Sequence, residues 1–251
     1  MNVCSVTCTL GFLSKEAPPR WPGRLLHGAL FGRLREVSPH AAELAHSQEP
    51  RPFSISGIYR EGAHSSFRYA GLSEPVARAV SGALEAGVEL EIGPTRARVL
   101  DVSLDATSYE ELYERFVPAD AVHERISLRF LSPTTFRVGK ANMPFPLPRL
   151  LWRSWAARWD AFSKVRLGSF EEWAEEFIVP ARFRLKSQTA RVGGATLVGA
   201  VGECEYRVLR PDSLEARVAA MLALYSNYCG TGQKTTMGLG TTELLWPARS
   251  T

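Results

Sequence analysis

Near the C-terminal end the chain reads CGTGQKTTMGLG, residues 229–240. This stretch holds Gly230, Gly232, Gly238 and Gly240, with Lys234 and three threonines between them. Glycine lets a backbone approach a ligand closely and present its N–H groups, and a lysine adds a point charge. Such a loop can hold a phosphate. A nucleotide-binding P-loop is excluded on two counts. That motif has Gly directly before its Lys, and Gln233 stands there instead. It also runs from a strand into a helix. Here SLEARVAAMLALYSNYCG precedes the loop, with Val218, Met221, Leu222 and Tyr225 at helical spacing. The following TTELLW is short and β-tolerant. The order is helix, glycine loop, strand, so the loop alone reads either as a phosphate site or as a plain glycine-rich turn. The second chemical candidate is His46, beside the polar stretch SQEPRP. Imidazole titrates near neutrality and can take or give a proton. A surface histidine at a helix end is the bland alternative.

Several chemistries find no support. Cys4, Cys8, Cys204 and Cys229 form no CxxC pair and have no close histidine partners, which argues against a zinc site. No metal triad, acidic pair or nucleophile elbow supports a metabolic enzyme, and no metal or cofactor is expected. At 251 residues and 45% hydrophobic, the chain can build one large or two ordinary cores. A net charge of +4 and a pI of about 9.0 point mildly to a polyanionic partner. Arginine far outnumbers lysine and suits bidentate phosphate contact. The N-terminus lacks a signal-peptide pattern, and no apolar run is long enough to span a bilayer. A cytoplasmic, reducing location without membrane contact is expected.

The elements that must position these residues follow from spacing. VCSVTCTLGF (3–12) reads as a strand. In 23–37, Leu26, Leu30 and Leu34 recur at i, i+4, i+8 and predict a helix. Ser38 and Pro39 then form an N-cap and first helical position for a short helix ending near His46. RPFSISGIYR and SSFRYAGL read as a strand pair. A helix is expected over 73–87 with Gly87 as its C-cap, followed by strands VELEIG and TRARVLDVSL. The stretch 105–122 reads as an irregular connection. The second half repeats the order: strand 125–138, helix 146–162, a helical patch near 170–178, two strands, helix 213–228 and a last strand. Each half is β-α-β-β-α-β. The expected fold is α+β, with two tandem ferredoxin-like domains over 1–110 and 120–251. The aromatic RNP1 signature of RNA-recognition motifs is lacking.

Three stretches together resemble one family, the CRISPR-associated endoribonucleases that cut precursor CRISPR RNA within its repeats. GTGQKTTMGLG is similar to that family's glycine-rich loop, G-x-G-x-K-x-[ST]-x-G-x-G, at every signature position. FLSPTTFRV (130–138) looks like the opening of the family's second domain. LLHGALFGRLREVSPHAAELAHSQEPRPFSISG (25–57) resembles its N-terminal catalytic stretch, which runs helix, S-P, helix ending in His, then a basic residue in P-[KR]-x-F-[ST]. The resemblance implies metal-independent RNA cleavage in which the substrate's own 2′-hydroxyl attacks the adjacent phosphate, leaving a 2′,3′-cyclic phosphate and a 5′-hydroxyl. The implied partner is CRISPR repeat RNA or precursor CRISPR RNA. Effector-complex subunits are further partners under the alternative reading, a related subunit that binds repeat RNA without cutting it.

Such a reaction needs a base, an acid and a cation at the phosphate. His46 matches the family's catalytic histidine and Arg51 its cation. Some members carry Tyr where this chain has Phe31, which cannot transfer a proton. His27, one turn earlier on the same face, is the expected second acid/base group; a histidine packed in the helix interface is its bland alternative. Lys234 and the backbone of Gly230, Gly232, Gly238 and Gly240 are expected at the RNA. Lys140, Arg182 and Arg184 are further candidates, the last two alternating with Lys186 on one strand face. Arg149, Arg153 and Arg158 read as a solvated helix face, and Trp152, Trp155 and Trp159 as core. His40, His64 and His123 read as surface residues.

Overall fold

A computed structural model describes residues 1–14, 18, 20–62, 64–118 and 122–245. Two compact units emerge. The first holds Met1–Thr107 together with Arg191–Thr196 and Lys234–Leu239; the second holds Ser108–Ala190, Leu197–Gln233 and Gly240–Thr251.

The first unit opens with β1 (Val3–Phe12), α1 (Arg24–Val37) and α2 (Pro39–Ser47). It continues with β2 (Phe53–Ile55), β3 (Tyr59–Glu61), β4 (His64–Gly71), α3 (Glu74–Ala83), β5 (Glu89–Ile92) and β6 (Thr95–Thr107). The sheet runs β2-β4-β1-β6-β5, with β3 also on β4. β1 sits centrally, antiparallel to both neighbours, with Val6 opposite Tyr69 on one side and Leu104 on the other. Taking β1, β2, β4 and β6 as the four strands, this is the ferredoxin-like pattern, with β5 added at one edge. The leucine stripe of α1 does what its period requires: Leu26, Leu30 and Leu34 are fully buried. Each contributes about 1.5–3 kcal/mol by leaving water. They meet Val76 and Val80 of α3 and Val6, Leu10, Leu90 and Val99 of the sheet in one core. Gly71 permits the turn into α3: a Cβ there would lie 2.5 Å from the Ala77 Cα.

The second unit begins with α4 (Tyr109–Phe116), β7 (Arg125–Thr134), β8 (Phe136–Val138), β9 (Ala141–Met143), α5 (Pro148–Phe162) and α6 (Glu171–Phe177). Then come β10 (Ile178–Val192), β11 (Ala195–Val208), α7 (Leu214–Cys229), a single 3-10 turn (Thr235–Met237) and β12 (Thr242–Leu245). Its sheet order, β10-β11-β7-β12, repeats the same topology. Trp152, Trp155 and Trp159 are fully buried, as expected of core residues. Each indole N–H finds an acceptor: Ala219 O at 3.1 Å, Thr231 Oγ1 at 2.9 Å and Val165 O at 2.8 Å. All four cysteines are buried and unbridged. The architecture is α+β with tandem ferredoxin-like units.

Four local expectations are corrected. Of the stretch 105–122, the part up to Phe116 is regular: β6 runs to Thr107, and α4 starts at a capping box in which Ser108 Oγ accepts from Glu111 N and Glu111 Oε2 from Ser108 N, while 119–121 lie outside the described residues. The single strand expected over 125–138 breaks after Thr134, and Phe136–Val138 pairs with β9 instead. α3 stops at Ala83, so Gly87 (φ 94°) does not cap it and serves in the turn before β5. His123 is not a plain surface residue. It is half-buried, its backbone N–H donates to Pro211 O at 3.1 Å and its ring lies 5.9 Å from Phe116.

Candidate active site

The site is built on a short helix pair. Ser38 ends α1 and caps α2: its Oγ accepts from Ala41 N at 3.2 Å, and Pro39 fills the first helical position, where no N–H is needed. This cap fixes where α2 begins, and the helix ends at Ser47 with His46 in its last turn, exposed. Arg51 follows on the turn into β2. Its Nη1 donates to Ala45 O at 3.3 Å, at the end of α2, and its Nε pairs with Glu49 at 2.9 Å.

His27 lies on α1, half-buried. Its ring stacks on Phe31 one turn later, with centroids 4.9 Å apart and planes 6° from parallel. Phe31 also meets His46, with centroids 6.2 Å apart and planes at 74°. Phe53 of β2 closes the cluster, 5.6 Å from His27 and 5.7 Å from Phe31. The rings of His27 and His46 therefore both contact Phe31. Burial lowers the pKa of His27 below the ordinary 6.5; a hydrogen bond to Thr236 opposes this, and the charges of Arg51, His46 and Arg24 add to it.

The glycine loop supplies the third side. The turn Thr235–Met237 belongs to the first unit, where His27 Nδ1 lies 3.1 Å from the Thr236 carbonyl oxygen. Gly238 (φ 87°) forms a parallel bridge with Ser56, just past β2. Lys234 starts the turn at φ 60°, left-handed although it is not glycine, and is exposed. Its carbonyl accepts from Met237 N at 2.9 Å and Leu239 N at 3.3 Å.

The remaining loop glycines lie in the second unit, and fold geometry accounts for them. Gly230 ends α7 at φ 67°. Gly232 and Gly240 have φ 75° and 67°, and a Cβ on either would meet a backbone oxygen, Thr135 O at 2.3 Å or Thr231 O at 1.9 Å. Arg158 was expected on a solvated face. It is half-buried instead, donating from Nη2 to Gly232 O at 2.7 Å and from Nη1 to Ser154 Oγ at 2.6 Å. Sequence reading missed this brace because helical spacing alone cannot tell a solvent-facing arginine from one reaching a loop carbonyl. Lys140 is exposed on the turn between β8 and β9, and Arg182 and Arg184 are exposed on the edge strand β10. Among the described residues, no group of three or more His, Cys, Asp or Glu could hold a metal ion, and no helix is long and apolar enough to cross a membrane.

Two ferredoxin-like units, with a glycine-rich loop between the last long helix and the last strand, are the architecture to be compared with known proteins. The family model described as CRISPR-associated endoribonuclease Cas6 matches residues 128–242. The chain is similar in sequence and fold to Cas6 endoribonucleases. The Cas6 endoribonuclease of Mycobacterium tuberculosis is 24% identical over 225 residues, 87% of this chain and 70% of that one. A solved Cas6 product complex is 26% identical with a TM-score of 0.80, covering 98% of this chain and all of that one. Thermus thermophilus Cas6 is 28% identical with a TM-score of 0.74, covering 97% and 98%.

Proposed function

We propose that this protein is a metal-independent endoribonuclease that binds CRISPR repeat RNA and cuts precursor CRISPR RNA to release guide RNAs for antiviral defence. The observation that carries the reading is the cluster in the first unit. Two histidines flank one phenylalanine, an arginine follows the second histidine, and a glycine-loop turn meets the first. His27 and His46 are the acid/base pair, and Arg51 faces the phosphate as its charge grows. The substrate's 2′-oxygen attacks phosphorus, leaving a 2′,3′-cyclic phosphate and a 5′-hydroxyl. Lys234 and the loop around Gly230, Gly232, Gly238 and Gly240 lie along the RNA backbone, as do Lys140, Arg182 and Arg184. The product complex solved for a 26% identical Cas6 supports RNA as the ligand class.

The phenylalanine at position 31 favours one second reading, a subunit that binds repeat RNA without cutting it and works beside effector-complex subunits. The test is cleavage of cognate repeat RNA in EDTA, beside a copy with a single 2′-deoxy substitution at the cut site. Cutting of the all-ribose RNA alone supports the enzyme. Tight binding without cutting supports the subunit.

A further inference from the structure

The two histidines stand in unlike surroundings, and the difference divides their labour. A carbonyl oxygen can only accept a hydrogen bond. At 3.1 Å from Thr236 O, His27 Nδ1 must therefore carry the proton. In the neutral ring the lone pair then sits on Nε2. Stacking on Phe31 and contact with Phe53 hold the plane of the ring. His46 has a different setting: it is exposed, in the last turn of α2.

We propose that the glycine-rich loop acts as a positioning device: the Thr236 carbonyl holds His27 in the Nδ1–H tautomer, so that its Nε2 is the general base and His46 is the general acid. This rests on the endoribonuclease reading above. The 2′-hydroxyl gives its proton to His27 Nε2, and its oxygen bonds to phosphorus. The bond from phosphorus to the 5′-oxygen breaks, and that oxygen takes a proton from the His46 imidazolium. One proton is gained at His27 and one lost at His46, and solvent resets both. The groups whose charge bears on His27 are Arg24 on its own helix, His46 on α2 and Arg51 beyond it. All three oppose a second proton on the ring, as does burial. The loop then has a task in the chemistry beyond contact with RNA: a main-chain atom of the turn sets which nitrogen reacts.

Two measurements test this. The first is the ring 15N shifts of histidine-labelled protein at pH 7, which distinguish the two neutral tautomers and the imidazolium. The expected result is Nδ1–H with bare Nε2 for His27; an Nε2–H ring or an imidazolium overturns the proposal. The second is single-turnover cleavage of RNA whose scissile 5′-oxygen is replaced by sulfur, a leaving group that needs no acid. His46→Ala should lose about 10²–10⁴-fold on ordinary RNA and recover most of that on the sulfur RNA. His27→Asn keeps a donor for Thr236 O and should lose a similar factor on both RNAs. Rescue of the His27 variant instead reverses the roles and overturns the assignment. If neither variant slows cutting, the histidine pair itself is wrong, whatever tautomer His27 holds, so the two failures are separable.

Discussion

Replacing Gly240 by alanine separates fold from ligand as the reason for the loop's glycines. Gly240 sits at φ 67°, and a Cβ there would lie 1.9 Å from the carbonyl oxygen of Thr231. The left-handed conformation costs an alanine about 1–2 kcal/mol. The overlap is with main chain, which cannot rotate away, and overpacking of that kind costs about 1–3 kcal/mol. Moving the two loop segments apart also breaks the bond from Thr231 N to Gly240 O, now 2.8 Å, worth about 0.5–1.5 kcal/mol. The expected loss is about 3–6 kcal/mol, a large share of the about 5–15 kcal/mol typical of a domain. Trp155 bonds Thr231 through its indole N–H, so tryptophan fluorescence during urea unfolding reports on this region directly. The control is Gly28→Ala. Gly28 lies inside α1 with nothing within 4 Å of its added Cβ, and the change should stabilise by about 0.5–1 kcal/mol. If Gly240→Ala leaves the unfolding midpoint unchanged and weakens only RNA binding, the steric argument fails and the glycine serves the ligand.

Further outcomes follow from other residues. Lys234→Gly should keep or raise stability by up to about 1 kcal/mol, because the left-handed turn no longer strains a side chain, while RNA affinity falls and its log–log salt slope shrinks by about 0.7; an unchanged slope removes Lys234 from the phosphate contacts. Arg158→Met removes the donor to the Gly232 carbonyl, while Ser154 Oγ keeps the Gly232 N–H, and should cost about 1–3 kcal/mol in urea unfolding, where a solvent-facing arginine would cost almost nothing. Burial lowers the pKa of His27 below 6.5, so below that pH the unfolded chain binds a proton that the folded ring resists. Stability should fall as the pH drops through 6.5 toward the folded value, and His27→Gln should flatten part of that slope in a thermal-melt series. The same depressed pKa puts the acid limb of the cleavage pH profile below the ordinary imidazole value, as a profile of single-turnover rates would show.

The sheet topology was legible because strand and helix periods differ, and each buried face wrote itself into the chain. Leu26, Leu30 and Leu34 are the clearest case. The Ser38–Pro39 start placed His46 at a helix end correctly, since a cap is a local signal. α4 carried an equally local signal in Ser108 and Glu111, together with buried Tyr109, Leu112 and Phe116, but its neighbourhood of charges obscured it. The break after Thr134 has no such mark, because it follows from Thr135 and Phe136 leaving the ladder to pair elsewhere. The least legible atom of the candidate site is the carbonyl of Thr236. Every residue carries that oxygen, so only folding shows which one faces a histidine.

The cysteines carry a practical consequence. All four are buried, and burial pushes the Cys4 and Cys8 thiols up to about 11 and about 12 and raises that of Cys204. Only thiolates attack alkylating probes, so near neutral pH these three positions are chemically silent. The folded surface is thus a blank background for a single introduced cysteine. A fluorophore on a cysteine introduced beside Lys140, on the exposed β8–β9 turn, would test in real time whether RNA reaches that turn, without removal of any native cysteine.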